Sequence, residues 1–193
     1  MARNIDKIQV VAQALGEIKE QVVFVGGSVA ELYADNPELS DIRPTIDVDC
    51  VVDLTINTYL EYSKLEEQLR KLDFQNDTSK NAPVCRKLYN GIKVDFMPEN
   101  PDILGFSIIW GGSDIRGSHD WEDIVYILNY CGIFLQNFRQ YNNPKLISYL
   151  KENFRNLMNN NNIREIIYSA LPYHSEEESI DALLDLMNKI QTI

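Results

Sequence analysis

Histidine, cysteine, positive charge and long apolar runs are all scarce in this sequence, and each scarcity excludes something. With two histidines, His119 and His174, a His-rich metal centre is excluded. The three cysteines, Cys50, Cys85 and Cys131, are odd in number and far apart, and form no CxxC pair. They read as buried reduced thiols rather than a disulfide framework or a structural zinc site. No run of eighteen apolar residues occurs, so no membrane span is expected. The opening MARNIDKIQVVAQALGEIKE lacks the uninterrupted apolar core of a signal peptide, which predicts a cytoplasmic protein. Lysine and arginine number 18 against 29 aspartates and glutamates, a formal net charge of −11. Proteins that grip nucleic acid through its phosphates are usually basic, and no dense Lys/Arg run is present here. Stable DNA or non-specific RNA binding is therefore disfavoured, whereas a brief encounter with one RNA end is compatible with the charge.

What is present is 193 residues, 45% of them hydrophobic, enough for one compact domain or a small domain with a helical extension. Apolar residues at Ile5, Ile8, Val11, Ala12, Leu15 and Ile18 predict a helix over 4–20. Gln21 to Val25 reads as a buried strand that ends on Gly26-Gly27-Ser28, and Val29 to Ala34 resumes as a helix. Thr45 to Leu54 alternates as a strand. Ile46, Val48, Cys50 and Val52 fall on one face, and Asp47, Asp49, Val51 and Asp53 on the other. A helix is expected over 59–72. Strands over 83–89 and 92–97 are joined by Asn90-Gly91, a dipeptide that favours a two-residue hairpin. From residue 119 onward the pattern is helical, over 119–137, 144–158, 162–170 and 176–191, with a capping box at Ser175 to Glu178. The expected fold is α+β: a mixed sheet with flanking helices over 1–98, a connecting segment over 99–118, and a helical region over 119–193.

The chemistry-bearing residues are carboxylates. Asp47 and Asp49, two apart on a strand, share a face at a separation of about 7 Å. Asp95 sits in the later strand, within Lys93-Val-Asp-Phe-Met97. Crowded carboxylates repel unless a cation joins them, and Mg²⁺, a hard oxygen-loving ion that also accepts phosphate oxygens, is the natural choice. Two such ions can activate an attacking hydroxyl and steady a leaving pyrophosphate. The Gly26-Gly27-Ser28 corner lets a backbone approach without a Cβ clash, and the helix after it offers free N–H donors suited to a phosphate chain. Each feature alone has a plainer reading, a tight turn or a solvated strand face; their order along the chain makes the joint case.

That order, strand-Gly-Gly-Ser, then Asp-x-Asp on a strand, then a single Asp on a later strand, resembles the DNA polymerase β-type nucleotidyltransferase superfamily. Within it, FVGGSVAELY, RPTIDVD and IKVDFMP, together with GSHDWEDIVYIL, are similar to nucleotidyltransferases of the AbiEii/AbiGii toxin-like family. The likeness covers most of residues 20–135. It implies transfer of a nucleoside monophosphate from an NTP to an acceptor hydroxyl on RNA, such as a tRNA end, or on a protein, in a toxin–antitoxin or phage-defence setting with a cognate antitoxin. It implies that Asp47, Asp49 and Asp95 are catalytic and hold two Mg²⁺ ions. Gly26, Gly27 and Ser28 would hold the triphosphate, and Arg43 and Thr45 would position it. Arg86 and Lys93, near the expected cleft, would reach phosphates or read equally well as exposed hairpin residues, and His119 or Asp120 would stand at the cleft edge. His119 and Asp120 read equally well as part of a helix start capped by Ser118 or Asp120. Residues 99–117 are a few dozen residues shorter than the matching stretch of those proteins, and the absence of the Lys-bearing helix found there would weaken nucleotide or acceptor binding. The rival readings are a catalytically silent nucleotide-binding or protein-interaction relative, and an enzyme that moves nucleotides onto small molecules as antibiotic-modifying relatives do.

Overall fold

The computed structural model describes residues 3–36, 42–52, 59–98, 119–141, 143–171 and 177–192. It is an α+β protein whose chain divides into two compact units, Met1–Glu31 with Arg43–Trp110, and Leu32–Ile42 with Gly111–Ile193.

The first unit opens with α1 (Asn4–Leu15). The expected helix over 4–20 is interrupted at Gly16, whose φ of 56° belongs to the left-handed region, and continues as a 3₁₀ helix over Gly16–Gln21. Then come β1 (Val22–Val25), a 3₁₀ helix over Gly27–Tyr33, β2 (Asp47–Val52) and α2 (Tyr59–Lys71). The short β3 (Gln75–Asn76), unforeseen in the sequence, precedes β4 (Arg86–Tyr89) and β5 (Ile92–Pro98). The five strands form one mixed sheet in the order β1-β2-β5-β4-β3. The β2–β5 pair at its centre is parallel, and the other pairs are antiparallel. Tyr89 pairs with Ile92 across Asn90-Gly91, both at positive φ, as a two-residue hairpin turn requires.

One face of this sheet carries the core. Val48, Cys50 and Val52 of β2 and Val94 and Phe96 of β5 pack with Ile8, Val11 and Leu15 of α1, and with Tyr62, Leu65 and Leu69 of α2. Phe74 completes the layer, stacked on Tyr89 and edge-on to Phe96. Ile46, expected on this inner face, is 73% exposed, because the strand begins only at Asp47. The strand before the glycines is also not the buried one expected. It lies at the sheet edge, where Val23 is 63% exposed and only Val22 and Phe24 lean on the core.

Lys87 lies on the core face with 1% exposure, its Nζ donating to Glu66 Oε1 at 2.5 Å and Asn76 Oδ1 at 2.7 Å. A buried ammonium is tolerated only when paired in this way.

The second unit is helical: α3 (His119–Tyr130), α4 (Phe134–Gln140), α5 (Pro144–Met158), α6 (Ile163–Ala170) and α7 (Glu177–Thr192). Its own core joins Trp121, Val125 and Leu128 to Phe138, Phe154, Ile166, Ile167, Leu183, Met187 and Ile190. Trp121 is anchored further by its indole N–H, which donates to the Ile166 carbonyl at 2.9 Å. The single helix expected over 119–137 is two, broken at Cys131-Gly132-Ile133. Asp35 holds the break: its Oδ2 accepts from Gly132 N at 3.0 Å, and its own N–H donates to the Tyr130 carbonyl. This contact explains why Leu32–Ile42, expected in the first half, groups with the helices. The capping residue Ser175, the connecting segment 99–118 and Asp53 lie outside the described residues. No helix among the described residues is long and apolar enough to cross a membrane.

Candidate functional site

Strand alternation places the carboxylates on the sheet face away from the core. The parallel register sets Asp49 opposite Asp95 and Asp47 opposite Lys93, so Asp47, Asp49, Lys93 and Asp95 share one face of the central pair. Arg86 of β4 stands opposite Asp95 on the same face. Its guanidinium forms a two-pronged contact with Asp95, Nε to Oδ1 and Nη2 to Oδ2, each at 2.7 Å. The same Nη2 reaches Asp47 Oδ2 at 2.6 Å. Forked, charge-assisted bonds of this kind are the strong ones. They raise the Arg86 pKa above its ordinary value, chiefly through the Asp95 hydrogen bonds, with the charges of Asp95, Asp47 and Asp77 adding to them.

The Gly-Gly-Ser corner meets this face through Gly26. Its φ is 73°, and a Cβ built there would lie 2.6 Å from Asp49 Oδ2. The backbone leaving β1 thus passes against the Asp49 carboxylate as only glycine permits. Beyond it the chain winds as a seven-residue 3₁₀ helix where an α-helix was expected. Val29 N–H is already bonded to the Gly26 carbonyl at 3.2 Å. Ser28 is fully buried, and its hydroxyl donates to the Val25 carbonyl at 3.3 Å. Its visible role is to close its own turn.

Arg43 and Thr45 are tied into the scaffold by Asn4, a residue the sequence reading did not single out. Asn4 is 1% exposed. Its Oδ1 accepts from Thr45 N at 2.9 Å and from Thr45 Oγ1 at 3.2 Å, and its Nδ2 donates to the Arg43 carbonyl at 3.0 Å. Thr45 Oγ1 is also 3.0 Å from the Asp47 carbonyl, and Lys7 Nζ donates to the Thr45 carbonyl. The segment leading into the Asp pair is thereby pinned to the first turn of α1. An asparagine at a helix start resembles a surface cap, so the pattern of apolar residues carried no signal for it. His119 and Asp120 begin α3 in the helical unit. His119 is 69% exposed, with Nδ1 3.0 Å from Glu122 Oε2.

Behind the carboxylates the core face is shielded from water. Tyr62 donates its hydroxyl to the Phe96 carbonyl at 2.9 Å. Burial, with the charges of Asp49 and Asp95 adding to it, pushes the Cys50 thiol well above its ordinary pKa. Burial likewise pushes Cys85 up to about 11.

The donor chemistry, three carboxylates on adjacent strands, fits Mg²⁺. Among the described residues, however, no three His, Cys, Asp or Glu side chains are arranged to hold a metal ion as they stand. The space between Asp47 and Asp95 is spanned by the Arg86 guanidinium, itself a cation in contact with both.

No family model, curated protein or solved structure matches the chain.

Proposed function

We propose that the outer face of β2, β4 and β5 is the active face of a nucleotidyltransferase of the polymerase β type. The observation that carries this reading is the convergence of Asp47, Asp49 and Asp95 on one face of a parallel strand pair, with the Gly26 backbone pressed against Asp49. In this reading Asp47, Asp49 and Asp95 would hold two Mg²⁺ ions, which would supply charge neutralisation and help activate the attacking hydroxyl. Arg86 and Lys93 bind phosphate oxygens, and the Gly26-Gly27 backbone borders the triphosphate. The acceptor oxygen bonds to the α-phosphorus as the bond to the bridging oxygen breaks. Pyrophosphate leaves, and the hydroxyl proton passes toward Asp95. The acceptor is an RNA end or a protein hydroxyl, and a cognate antitoxin would restrain the enzyme in the cell. The acidic net charge favours a small or transient acceptor contact over an extended nucleic-acid interface.

A specific observation favours a second reading. The ion pairs of Arg86 tie Asp47 and Asp95 to a cation of the chain itself, as they would in a silent relative that keeps the fold and dispenses with metal. The two readings separate on label transfer from α-³²P-labelled NTPs in Mg²⁺ to RNA and protein fractions. Transfer by the wild type that is lost in Asp49→Asn and Asp95→Asn supports the enzyme. Transfer that persists in both variants places the chemistry elsewhere, and no transfer to either fraction favours the silent module.

A further inference from the structure

The carboxylate face carries its own cation, and the position of that cation has a consequence for the order of binding. Nη2 of Arg86 lies 2.6 Å from Asp47 Oδ2 and 2.7 Å from Asp95 Oδ2, so one nitrogen bridges carboxylates on two different strands. The oxygens it engages belong to two of the three carboxylates that the nucleotidyltransferase reading assigns to metal. The backbone beneath it is fixed. Asp95 faces Arg86 in the β4–β5 ladder, Arg86 N–H donates to the Pro83 carbonyl at 3.0 Å, and Asp77 N–H donates to the Arg86 carbonyl at 3.2 Å. Any vacating of the space is therefore a swing of the Arg86 side chain about its own four torsions, with the strand left in place.

We propose that Arg86 is a displaceable internal cation that closes the carboxylate site to divalent metal until a triphosphate draws it away. The inference rests on the nucleotidyltransferase reading and assigns that site an order of assembly. A guanidinium binds phosphate oxygens in the same forked geometry that it uses on Asp95. A polyphosphate chain at the site thus offers Arg86 an equivalent partner and at the same time supplies oxygen ligands to the metal. Both effects favour the metal only when the triphosphate is present. Metal and triphosphate consequently bind with positive coupling, and by linkage each strengthens the other by the same factor. Without the triphosphate, the metal must compete with a covalently tethered cation whose local concentration never falls.

The test is Mn²⁺ binding to the full chain without nucleotide, read from the electron paramagnetic resonance signal of free Mn²⁺, for wild type, Arg86→Gln and Arg86→Lys. In parallel, dialysis measures how much of each α,β-methylene NTP the wild type retains in Mg²⁺. The proposal expects Arg86→Gln to bind Mn²⁺ at least tenfold more tightly than wild type, with Arg86→Lys between them. It also expects Mn²⁺ to raise the Tm of Arg86→Gln more than that of wild type, a response that a merely structural arginine would not produce. If Arg86→Gln does not fold, Arg86→Lys, which keeps the charge and loses the fork, carries the same comparison. Equal Mn²⁺ affinity in wild type and variant, or no Mn²⁺ binding by a folded variant, overturns the gate. In either of those cases, retention of an NTP analogue by the wild type leaves the nucleotidyltransferase reading standing, and retention of none removes both.

Discussion

A methyl group added at Gly26 would lie 2.6 Å from Asp49 Oδ2, so the end of the edge strand and the second carboxylate of the Asp pair occupy adjoining space. That proximity makes Gly26 a position where backbone conformation and site geometry are inseparable. Gly26→Ala is expected to cost on the order of 1–3 kcal/mol through the forced positive φ, and to push the Asp49 carboxylate out of place. Gly91 is the natural control. Its φ is 80°, yet a Cβ there meets nothing within 4 Å. Gly91→Ala should lose comparable stability in urea unfolding while keeping any ligand binding, whereas Gly26→Ala loses both.

Asn4 should matter as much as any core residue. Replacing it with alanine strips the buried Thr45 N–H of its partner and removes the bond to the half-buried Arg43 carbonyl. Leaving a buried polar group without its hydrogen bond costs about 1–3 kcal/mol, so Asn4→Ala is expected to lower stability by about that amount in urea titration. Because Thr45 leads directly into Asp47, hydrogen exchange at the start of β2 should accelerate more in this variant than exchange in β5.

The buried thiols give stability a defined pH dependence. Cys85 has an ordinary pKa of 9.0 and is pushed up to about 11 in the folded protein, first by burial and then by the charge of Asp95. Cys50 moves the same way. The folded state therefore holds these protons more tightly than the unfolded chain. The contribution is fully present below pH 9.0 and is lost as pH rises toward 11. Urea midpoints should be level near neutrality and fall between about pH 9 and 11. Cys85→Ala should make that fall shallower, with Cys50 and Tyr62 left to sustain the remainder.

Much of this architecture was legible in the residues, and the exceptions have physical causes. Alternation identifies the Asp47/Asp49 face of β2, and the Asn90-Gly91 dipeptide identifies the hairpin turn, because both depend on local sequence alone. It could not reveal that Val22–Val25 is an edge strand, since a strand of four apolar residues looks the same at the edge or the centre of a sheet. The break at Cys131-Gly132-Ile133 was hidden because it depends on Asp35, nearly a hundred positions earlier. The juxtaposition of Asp49 with Asp95 and the bridging by Arg86 follow from strand register, which no spacing along the chain encodes. Lys87 shows the same limit: beside Arg86 in sequence, it faces the opposite side of the sheet and is buried on Glu66 and Asn76.

Nucleotide binding on the carboxylate face is tested by thermal unfolding of the full chain with each of the four NTPs, with and without Mg²⁺, beside an Asp47→Asn/Asp49→Asn double variant. At a hundred times Kd, a ligand bound only to the folded state adds about 2.7 kcal/mol. A nucleotidyltransferase site raises Tm with at least one NTP, in a way that requires Mg²⁺ and vanishes in the double variant. A folded wild type whose Tm is unmoved by every NTP in Mg²⁺, or moved equally in the double variant, would contradict it.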